Sequence, residues 1–541
     1  MSILHDIPIL SIILMSPLLG FLIIQLLPKH QGGWLKTAAI SITLIPLALS
    51  LWLFVDYDKQ LGGSAYDESL NWIQAPIALF QGDAEWLFSF QYALGIDGLS
   101  LPLLLLTTLV TAMAAMAAIH VKKRWKAFFS WFFLLEFGML GVFMARDVFL
   151  FFVFFEITLI AMYFLIGIWG YYNRERTANQ FLIYNGIGSA IMLIAFVLLV
   201  NTAGFRMEET TQGIQYIYSG SYSDIWSNLA DPNAYVNLPE DAIQGGNPFN
   251  ISDTMQWSLF IMLLIAFGIK LPIFPFHTWM LKVHKEAPPA IVMIHSGILL
   301  KMGAYGLIRF GFFLFPQQVR EWAVVLATLG VINLLYGAIL AFRQVEFKLV
   351  LAYSSISHMG IVLIGLASLN EIGVQGALFQ LVSHGLISAL LFLIVGSLYE
   401  RTGTTELDQL GGLARSMPFM SGVLLTAGLA SLGLPGLSGF VGEFLSILGL
   451  FESMRWLAAA AVLGVILTAV YVLRSVLKIT FGPQKESFRA LRDARFIEAL
   501  PMIVLLAFII MLGCYPSLLT DTVELSISSF MDVLNAAKAG G

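Results

Sequence analysis

The sequence predicts an all-α polytopic membrane protein with about fourteen transmembrane helices. Of its 541 residues, 58% are hydrophobic and only 12% are Asp, Glu, Lys or Arg. A soluble chain of this length needs far more charge to cover its surface, so lipid must be part of its solvent. Apolar runs of about 20 residues, the length that spans the hydrocarbon core, recur along the whole chain. The lipid bilayer is therefore the first expected partner.

Composition also excludes other classes of protein. A net charge of −5 gives no basic surface for nucleic acid, so we expect no nucleic-acid partner. The single cysteine, Cys514, cannot form an intrachain disulfide or hold an iron–sulfur cluster by itself. The chain has no Walker A loop and no dinucleotide-binding glycine motif. We expect no cofactor in this chain and driving energy from an ion gradient or from partner subunits.

Hydropathy predicts fourteen spans along the chain. They lie near 8–27, 36–55, 98–119, 126–145, 148–169, 179–201, 256–281, 288–315, 322–342, 347–367, 372–399, 418–451, 454–477 and 497–518. The first run ends without a small-residue cleavage pattern, so it is interpreted as a retained helix rather than a signal peptide. The twelfth span is too long for one helix and should be broken or lie partly outside the bilayer.

Charges in the loops predict the orientation. An even number of spans places both termini on one side of the membrane. Lys and Arg concentrate in the loops of the other side, which the positive-inside rule makes cytoplasmic. The long acidic loops 56–97 and 202–255 then fall on the outer side. We therefore expect a multi-pass protein of a bacterial cell membrane with both termini outside.

Two segments break helix chemistry inside predicted spans. Ile269–His277 lies in span seven and Leu432–Gly439 in span twelve, and both contain proline. Prolines there free backbone carbonyls, which is tolerated at depth only beside protein or water. The breaks lie five spans apart, which predicts two inverted five-helix repeats, spans 4–8 and 9–13. Two unrelated proline kinks are the alternative. The expected segments are 1–120, 121–315, 316–480 and 481–541.

Four ionisable residues in apolar spans are the first candidates for function. They are Glu156, Lys270, Lys301 and Glu443. An ionisable group near the bilayer centre costs about 2.5–3.5 kcal/mol on insertion scales, so each needs a reason to be there. A relay of protons through groups that switch charge state is one reason. Snorkelling for Glu156, a structural salt bridge for the lysines and loop-end exposure for Glu443 are the alternatives.

Histidines cluster in spans seven to eleven. His277, His295, His358 and His384 all lie there, and imidazole titrates near neutral pH and passes protons in either direction. A single histidine satisfied by a backbone carbonyl is the alternative for each. Glu136 lies in the middle of span four and could pair with a neighbouring chain or serve a path between units. The histidines as a group favour proton conduction.

Other ionisable residues are interpreted differently. His284 is predicted at the cytoplasmic surface, and Arg309 is predicted to extend its side chain outward from span eight. The histidines of spans seven to eleven form neither a His-x-x-x-His pair nor a pair with a carboxylate at helix spacing, so no metal site is expected.

Three motifs carry a resemblance to a known family. They are Phe155-Glu156 through Met162–Gly170, Lys270-Leu271-Pro272 through Pro275–Met280, and Ala352–Gly360. In these motifs and over nearly its whole length, the chain resembles the antiporter-like subunits of respiratory complex I, of multisubunit cation/proton antiporters and of membrane-bound hydrogenases. Gly442-Glu443-Phe444 is similar to subunit M (chain 4), where the resemblance implies glutamate rather than lysine. The chain also ends about 20 residues after its last span, without the lateral helix expected of subunit L.

The resemblance implies a function and roles. It implies a proton-translocating subunit of NADH–quinone oxidoreductase, in which Glu156 and Lys270 form a pair, Lys301 is the central relay and Glu443 the exit-side acid. It places His277, His358 and His384 along a hydrated path. It implies FMN and iron–sulfur clusters in partner subunits, none in this chain, and neighbouring antiporter-like subunits as contacts. A subunit of a Na⁺(K⁺)/H⁺ antiporter or of a membrane-bound hydrogenase is the alternative.

Overall fold

The protein is a helix bundle with a small sheet at one end. The computed structural model describes residues 8–27, 32–59, 63–76, 85–121, 123–210, 213–239 and 247–539. Within these ranges the α-helices are α1 Ile9–Leu26, α2 Gly32–Asp56, α3 Ser100–Ala117, α4 Trp125–Met144, α5 Val148–Trp169, α6 Arg174–Asn201, α7 Tyr222–Ala230, α8 Asp253–Lys270, α9 Thr278–Glu286, α10 Pro289–Ile294, α11 Leu300–Gly306, α12 Pro316–Glu321, α13 Ala323–Arg343, α14 Phe347–Ala367, α15 Glu371–Thr402, α16 Pro418–Ser431, α17 Ser438–Ser453, α18 Arg455–Phe481, α19 Phe496–Cys514 and α20 Ser517–Ala539.

Shorter elements connect these helices. The π-helical segment His295–Leu299 joins α10 to α11, and a second one, Leu307–Phe312, extends α11, so that Pro289–Phe312 forms one continuous rod. Short 3₁₀ turns lie at Ser64–Tyr66, Ala118–His120, Tyr235–Asn237, Leu413–Arg415 and Glu486–Phe488. The strands are β1 Glu68–Pro76, β2 Glu85–Leu94, β3 Phe205–Thr210 and β4 Gly213–Ser219.

The predicted membrane fold is confirmed. In the described part of the chain, 13 helices are long and apolar enough to cross a bilayer, counting Pro289–Phe312 as one. They correspond to thirteen of the fourteen predicted spans. The remaining one, the twelfth, is divided between α16 and α17, each too short to cross alone.

The first helix break is confirmed and has a dedicated polar partner. Helix α8 ends at Lys270 and α9 begins at Thr278. The side chain of Asn333 on α13 accepts a bond from Phe274 N at 2.7 Å and donates one to Pro272 O at 3.3 Å. Asn333 thus satisfies backbone groups that the break removes from the helix, as non-helical backbone at membrane depth requires.

The second break depends on glycine. Helix α16 ends at Ser431 and α17 begins at Ser438. Between them Gly433 and Gly436 have φ of 78° and 91°, the left-handed region that glycine adopts without steric cost. The break leaves the carbonyl at the end of α16 free to accept a hydrogen bond from another helix.

A four-stranded sheet was not predicted. The strands lie in the order β1-β2-β4-β3, with β2 and β4 parallel and the other pairs antiparallel. All four come from the loops 56–97 and 202–255. Strand β2 alternates Trp86, Phe88 and Phe90 with smaller or polar residues, and Trp86 stacks on Tyr216 of β4 at 4.4 Å. The alternation of aromatic residues was the sequence signal for these strands.

The sheet defines one side of the molecule, which we call the sheet side. The N-terminal end of α1 meets it, because Leu10 N donates to Glu68 Oε1 at 2.8 Å. Helix α20 follows the last span and lies on the same side, where Lys59 pairs with Asp521 at 3.2 Å and Arg320 donates to Leu534 O at 2.6 Å. Span alternation places both ends of the described chain on the sheet side.

Two membrane helices form the centre of the bundle. In Pro289–Phe312 and in α15 the whole of the most apolar stretch is buried, whereas only a third is buried in α2, α18 and α19. Lys301 and His384 lie on these two central helices. Polar groups on these two helices have protein neighbours on every side, so protein atoms rather than water must satisfy their hydrogen bonds and charges.

Candidate functional site

Lys301 is the centre of a line of buried ionisable side chains. It lies on α11 immediately after the first π-helical segment and is completely buried. Its Nζ donates to Ser296 O at 2.5 Å and lies 2.7 Å from His384 Nδ1 on α15. The contact with Ser296 turns the ammonium toward the side of the membrane opposite the sheet. Lys301 and His384 are therefore within direct proton-transfer distance.

His358 continues the line on the other side of His384. The two imidazole rings lie 5.3 Å apart between centroids. His358 Nδ1 lies 2.7 Å from Ser354 O, and Nε2 lies 3.0 Å from Ser431 O and 3.2 Å from Glu443 Oε1. Both ring nitrogens therefore face acceptors, an arrangement that the doubly protonated ring satisfies. Ser431 O is the carbonyl freed by the second helix break.

Glu443 ends the line at the edge of the bundle. Its carboxylate is buried, and Oε1 is within ion-pair distance of His358 Nε2 without hydrogen-bond geometry. A Cβ atom at Gly433 would lie 2.5 Å from Glu443 Oε2, so glycine is needed there to leave room for the carboxylate. Glu443 also borders an apolar groove of about 470 Å³ between α17 and α18, next to the exposed ring of Phe444.

His284 and His295 form a second buried pair beside this line, and the predicted position of His284 at the surface is wrong. It is completely buried, and its Nε2 lies 2.9 Å from Nδ1 of the equally buried His295. The ring also packs on Phe392 of α15. The basic neighbours Lys282 and Lys285 misled the prediction, because they lie on the more exposed faces of the same short helix. Sequence reasoning missed His284 as a site residue.

Lys270 and Glu156 lie near each other without contact. Lys270 Nζ is buried over the rings of Phe155 and Phe181, at 5.0 and 5.6 Å from their centroids. Within the part of the chain that the structure describes, neither Lys270 Nζ nor Glu156 Oε1 has a hydrogen-bond partner. His295 packs against Phe181 as well, at 6.2 Å. Phe181 thus lies between the lysine and the histidine pair.

Two predicted residues lie apart from this line. His277 Nε2 is 3.2 Å from the hydroxyl of Tyr336 on α13, and its ring stacks on Phe274. Glu136 is completely buried on α4, and among the described residues neither of its carboxylate oxygens has a hydrogen-bond partner. The structure therefore brings together Lys301, His384, His358 and Glu443, and separately His284 and His295. His277 and Glu136 contact no other member of either group.

Arg309 does not extend outward as predicted. It is buried, and its Nη2 donates to Asp97 Oδ2 at 2.5 Å. Arg146 reaches the same oxygen at 3.3 Å. Burial by itself would raise the pKa of Asp97, but the two guanidinium groups hold it well below its usual range. Sequence reasoning missed Asp97, which lies just before α3 where an acid normally indicates only a solvated loop.

The arrangement suits proton transfer between side chains. In the part of the chain that the structure describes, no three His, Cys, Asp or Glu side chains are grouped so as to hold a metal ion. What the site offers instead is a row of side chains that can each take up and release a proton, held in a low-dielectric interior.

Comparisons with known proteins agree with this arrangement. The family model described as "NADH:quinone oxidoreductase/Mrp antiporter, TM" matches residues 145–468, and "NADH-ubiquinone oxidoreductase chain 4, amino terminus" matches residues 68–146. The NAD(P)H-quinone oxidoreductase chain 4 of Prochlorococcus marinus (strain MIT 9515) is 36% identical, covering 99% of this chain and 92% of the relative. The NADH-quinone oxidoreductase subunit M of Rhodobacter capsulatus is 34% identical, with coverages of 98% and 97%.

A solved structure has the same fold. A chain of respiratory complex I from Thermus thermophilus with bound NADH superimposes with a TM-score of 0.79 at 28% identity, covering 97% of this chain and 99% of that chain. The fold and the buried line of charges define an antiporter-like membrane subunit. The chain belongs to the NADH–quinone oxidoreductase chain 4 (subunit M) family, so the resemblance noted in the sequence is confirmed.

Proposed function

We propose that this chain translocates protons as a membrane subunit of an NADH–quinone oxidoreductase. The observation that carries the proposal is the contact sequence Lys301–His384–His358–Glu443, in which the end members meet their histidines at 2.7 and 3.2 Å. Membership of the chain 4 family supports it. A structural salt bridge explains this sequence poorly, because Lys301 contacts an imidazole and a carbonyl rather than an acid.

Proton movement along this line begins at its acidic end. Glu443 accepts the Nε2 proton of His358, which leaves His358 neutral. Lys301 then gives its proton to His384 Nδ1, and the His384 imidazolium so formed releases its other ring proton to His358. Each step moves one proton between neighbouring groups and leaves the next group able to accept. Lys301 ends neutral, and the excess proton rests on Glu443 beside the open groove.

Lys301 regains its proton from the side opposite the sheet. Its ammonium is turned toward Ser296, next to His295 and its partner His284. The Glu156 charge acts on Lys270, and Lys270 and His295 pack against the same ring, that of Phe181. A change in charge at Glu156 therefore alters the field at the histidines, which favours or disfavours reloading of Lys301.

The energy for these steps comes from partner subunits. We propose that FMN and iron–sulfur clusters lie in those partners, that this chain has no redox centre, and that other antiporter-like membrane subunits are its neighbours. We further propose that spans 4–8 and 9–13 are inverted repeats, within the segments 121–315 and 316–480. The sheet side then faces out of a bacterial cell, with both termini on it.

A purified, reconstituted complex tests the proposal. The chain carries an affinity tag, the co-purifying subunits are identified, and NADH-driven acidification of proteoliposomes is followed with a pH-sensitive dye. We expect flavin and iron–sulfur partners, a signal abolished by a protonophore, and loss of that signal in Lys301→Met and Glu443→Gln. Lys478→Met is the control, because Lys478 forms an exposed ion pair with Asp408 that contributes little.

The test also separates the alternative functions. Small membrane partners alone, with acidification that depends on a Na⁺ or K⁺ gradient instead of NADH, would indicate a cation/proton antiporter. Wild-type acidification in both Lys301→Met and Glu443→Gln would contradict the proposed proton path.

A further inference from the structure

A second group of charges lies at the sheet-side end of the helix that carries Lys301. Arg309 belongs to the π-helical segment Leu307–Phe312, and its Nη2 donates to Asp97 Oδ2 at 2.5 Å. Arg146 lies 3.3 Å from the same oxygen. The Arg309 side chain is 8% exposed and that of Arg146 25%, so Arg309 is the innermost member.

A polar column leads from Lys301 to this group. Lys301, Tyr305 and Arg309 follow one another at four-residue intervals, which places them along one face of the rod. Arg309 Nη2 lies 3.4 Å from the Tyr305 hydroxyl, which donates to Phe143 O at 3.3 Å. Past Arg309, a cavity of about 170 Å³ lies between Asp97, Arg309 and Ser526 of α20. Polar side chains therefore lie along one helix face between the central lysine and the cavity on the sheet side.

The chemistry of the group prevents protons from using that column. A guanidinium keeps its proton at any physiological pH, so Arg309 can neither accept a proton nor release one. Its positive charge also repels an approaching hydronium ion in a low-dielectric surrounding. Two arginines share Asp97, whose pKa is held low, so its carboxylate stays anionic. Asp67 Oδ1 lies beside Gly95 close to Arg146 Nε, further from the column.

We propose that the buried Arg309 guanidinium is an electrostatic seal that closes the sheet-side end of the column above Lys301. It forces Lys301 to exchange protons with His384 and the opposite side only, and it blocks return of protons from the sheet side. The inference rests on the proposed proton translocation. Arg309 shapes the proton path by excluding protons from its sheet-side end, and it carries no proton itself.

Passive proton leak in the assembled complex is the measurement that tests the seal. The complex is reconstituted in proteoliposomes, a pH gradient is imposed without NADH, and its decay is followed with a trapped dye. Removing the charge in Arg309→Gln should raise the leak several-fold, whereas Asp97→Asn keeps the guanidinium and should leave it near wild type. Arg320→Gln is the matched control, since Arg320 lies on the same side and donates to Leu534 O.

A purely structural role for the ion pair predicts a different pattern. Asp97→Asn breaks the pair as completely as Arg309→Gln, so equal leaks in both would overturn the seal. If Arg309→Gln does not assemble, the double variant with Asp97→Asn removes both charges of the buried pair, and Arg146 keeps Asp67 beside it. The seal predicts that this double variant leaks, and a tight double variant would contradict it. If the wild-type complex does not pump protons when NADH is supplied, the proposed function itself is refuted.

Discussion

Lys301 Nζ and His384 Nδ1 lie 2.7 Å apart on the two central helices of the bundle. Two positive charges at that distance repel by on the order of 6 kcal/mol at an effective dielectric constant of 20. The pair therefore holds one excess proton between its two members. A site that shares a proton in this way passes it on whenever a neighbour on one side becomes able to accept.

Replacing the histidine of this pair should interrupt the path. In His384→Gln the amide can form hydrogen bonds but cannot carry a proton, so NADH-driven proton uptake should fall by about tenfold or more. Dye quenching in proteoliposomes measures it. Ser388→Ala, one turn further along α15, is the matched control because the Ser388 hydroxyl donates to Gly385 O of its own helix. Equal effects of the two substitutions would argue against a role for the imidazole.

His358 and Glu443 should behave as one unit. Because both belong to the same path, His358→Gln and Glu443→Gln should each reduce pumping, and the double variant should be no worse than the more impaired single variant. Initial rates of proton uptake for the wild type, the two single variants and the double variant give the coupling between the two residues. Reductions that multiply in the double variant would show that the two residues serve separate paths.

Close packing of α4 on α5 predicts a stability difference between two glycines. A Cβ at Gly141 would lie 2.2 Å from Phe154 Cγ, whereas one at Gly186 on α6 meets nothing within 4 Å. Gly141→Ala should destabilise the subunit by about 1–3 kcal/mol through overpacking. Gly186→Ala should be neutral or slightly stabilising. Thermal unfolding of the purified complex compares them, and an unchanged Tm in Gly141→Ala would contradict the packing.

The ion pair of Asp97 predicts how stability depends on pH. Burial opposes ionisation of Asp97, but Arg309 and Arg146 lower its pKa below the unfolded value of about 3.9. A depressed pKa contributes stability that is fully present above the unfolded pKa and is lost as the pH falls through the folded pKa. Asp97→Asn should therefore lower Tm by the same amount from pH 5 to 8. If the difference in Tm between Asp97→Asn and the wild type disappears between pH 5 and pH 8, the Asp97 carboxylate is not held by the two arginines.

The sequence was sufficient for the membrane fold and for the ionisable groups. Hydropathy and prolines predicted the spans and both helix breaks, because apolar length and missing backbone donors are local properties. Lys301, His358, His384 and Glu443 were recognised because ionisable side chains in apolar helices are costly. Their order in space was not predictable, since it depends on which faces of α11, α14, α15 and α17 meet.

The remaining features depend on long-range contacts. The parallel pairing of β2 with β4 joins loops more than a hundred residues apart, and only the aromatic alternation in β2 hinted at it. Asp97 was overlooked because it lies in the loop before α3, and His284 was misplaced because its neighbours Lys282 and Lys285 are basic. Their burial comes from other helices, Arg309 for the former and Phe392 for the latter.

The most direct test of the central claim is the rate of NADH-driven proton uptake by complexes that carry Lys301→Met or Lys301→Arg. The arginine variant keeps the positive charge but cannot release a proton. If Lys301 exchanges protons with His384, uptake should fall to the level of the protonophore-treated control in both variants. If Lys301→Arg pumps like the wild type, the charge alone suffices and the account of a proton path through Lys301 is wrong.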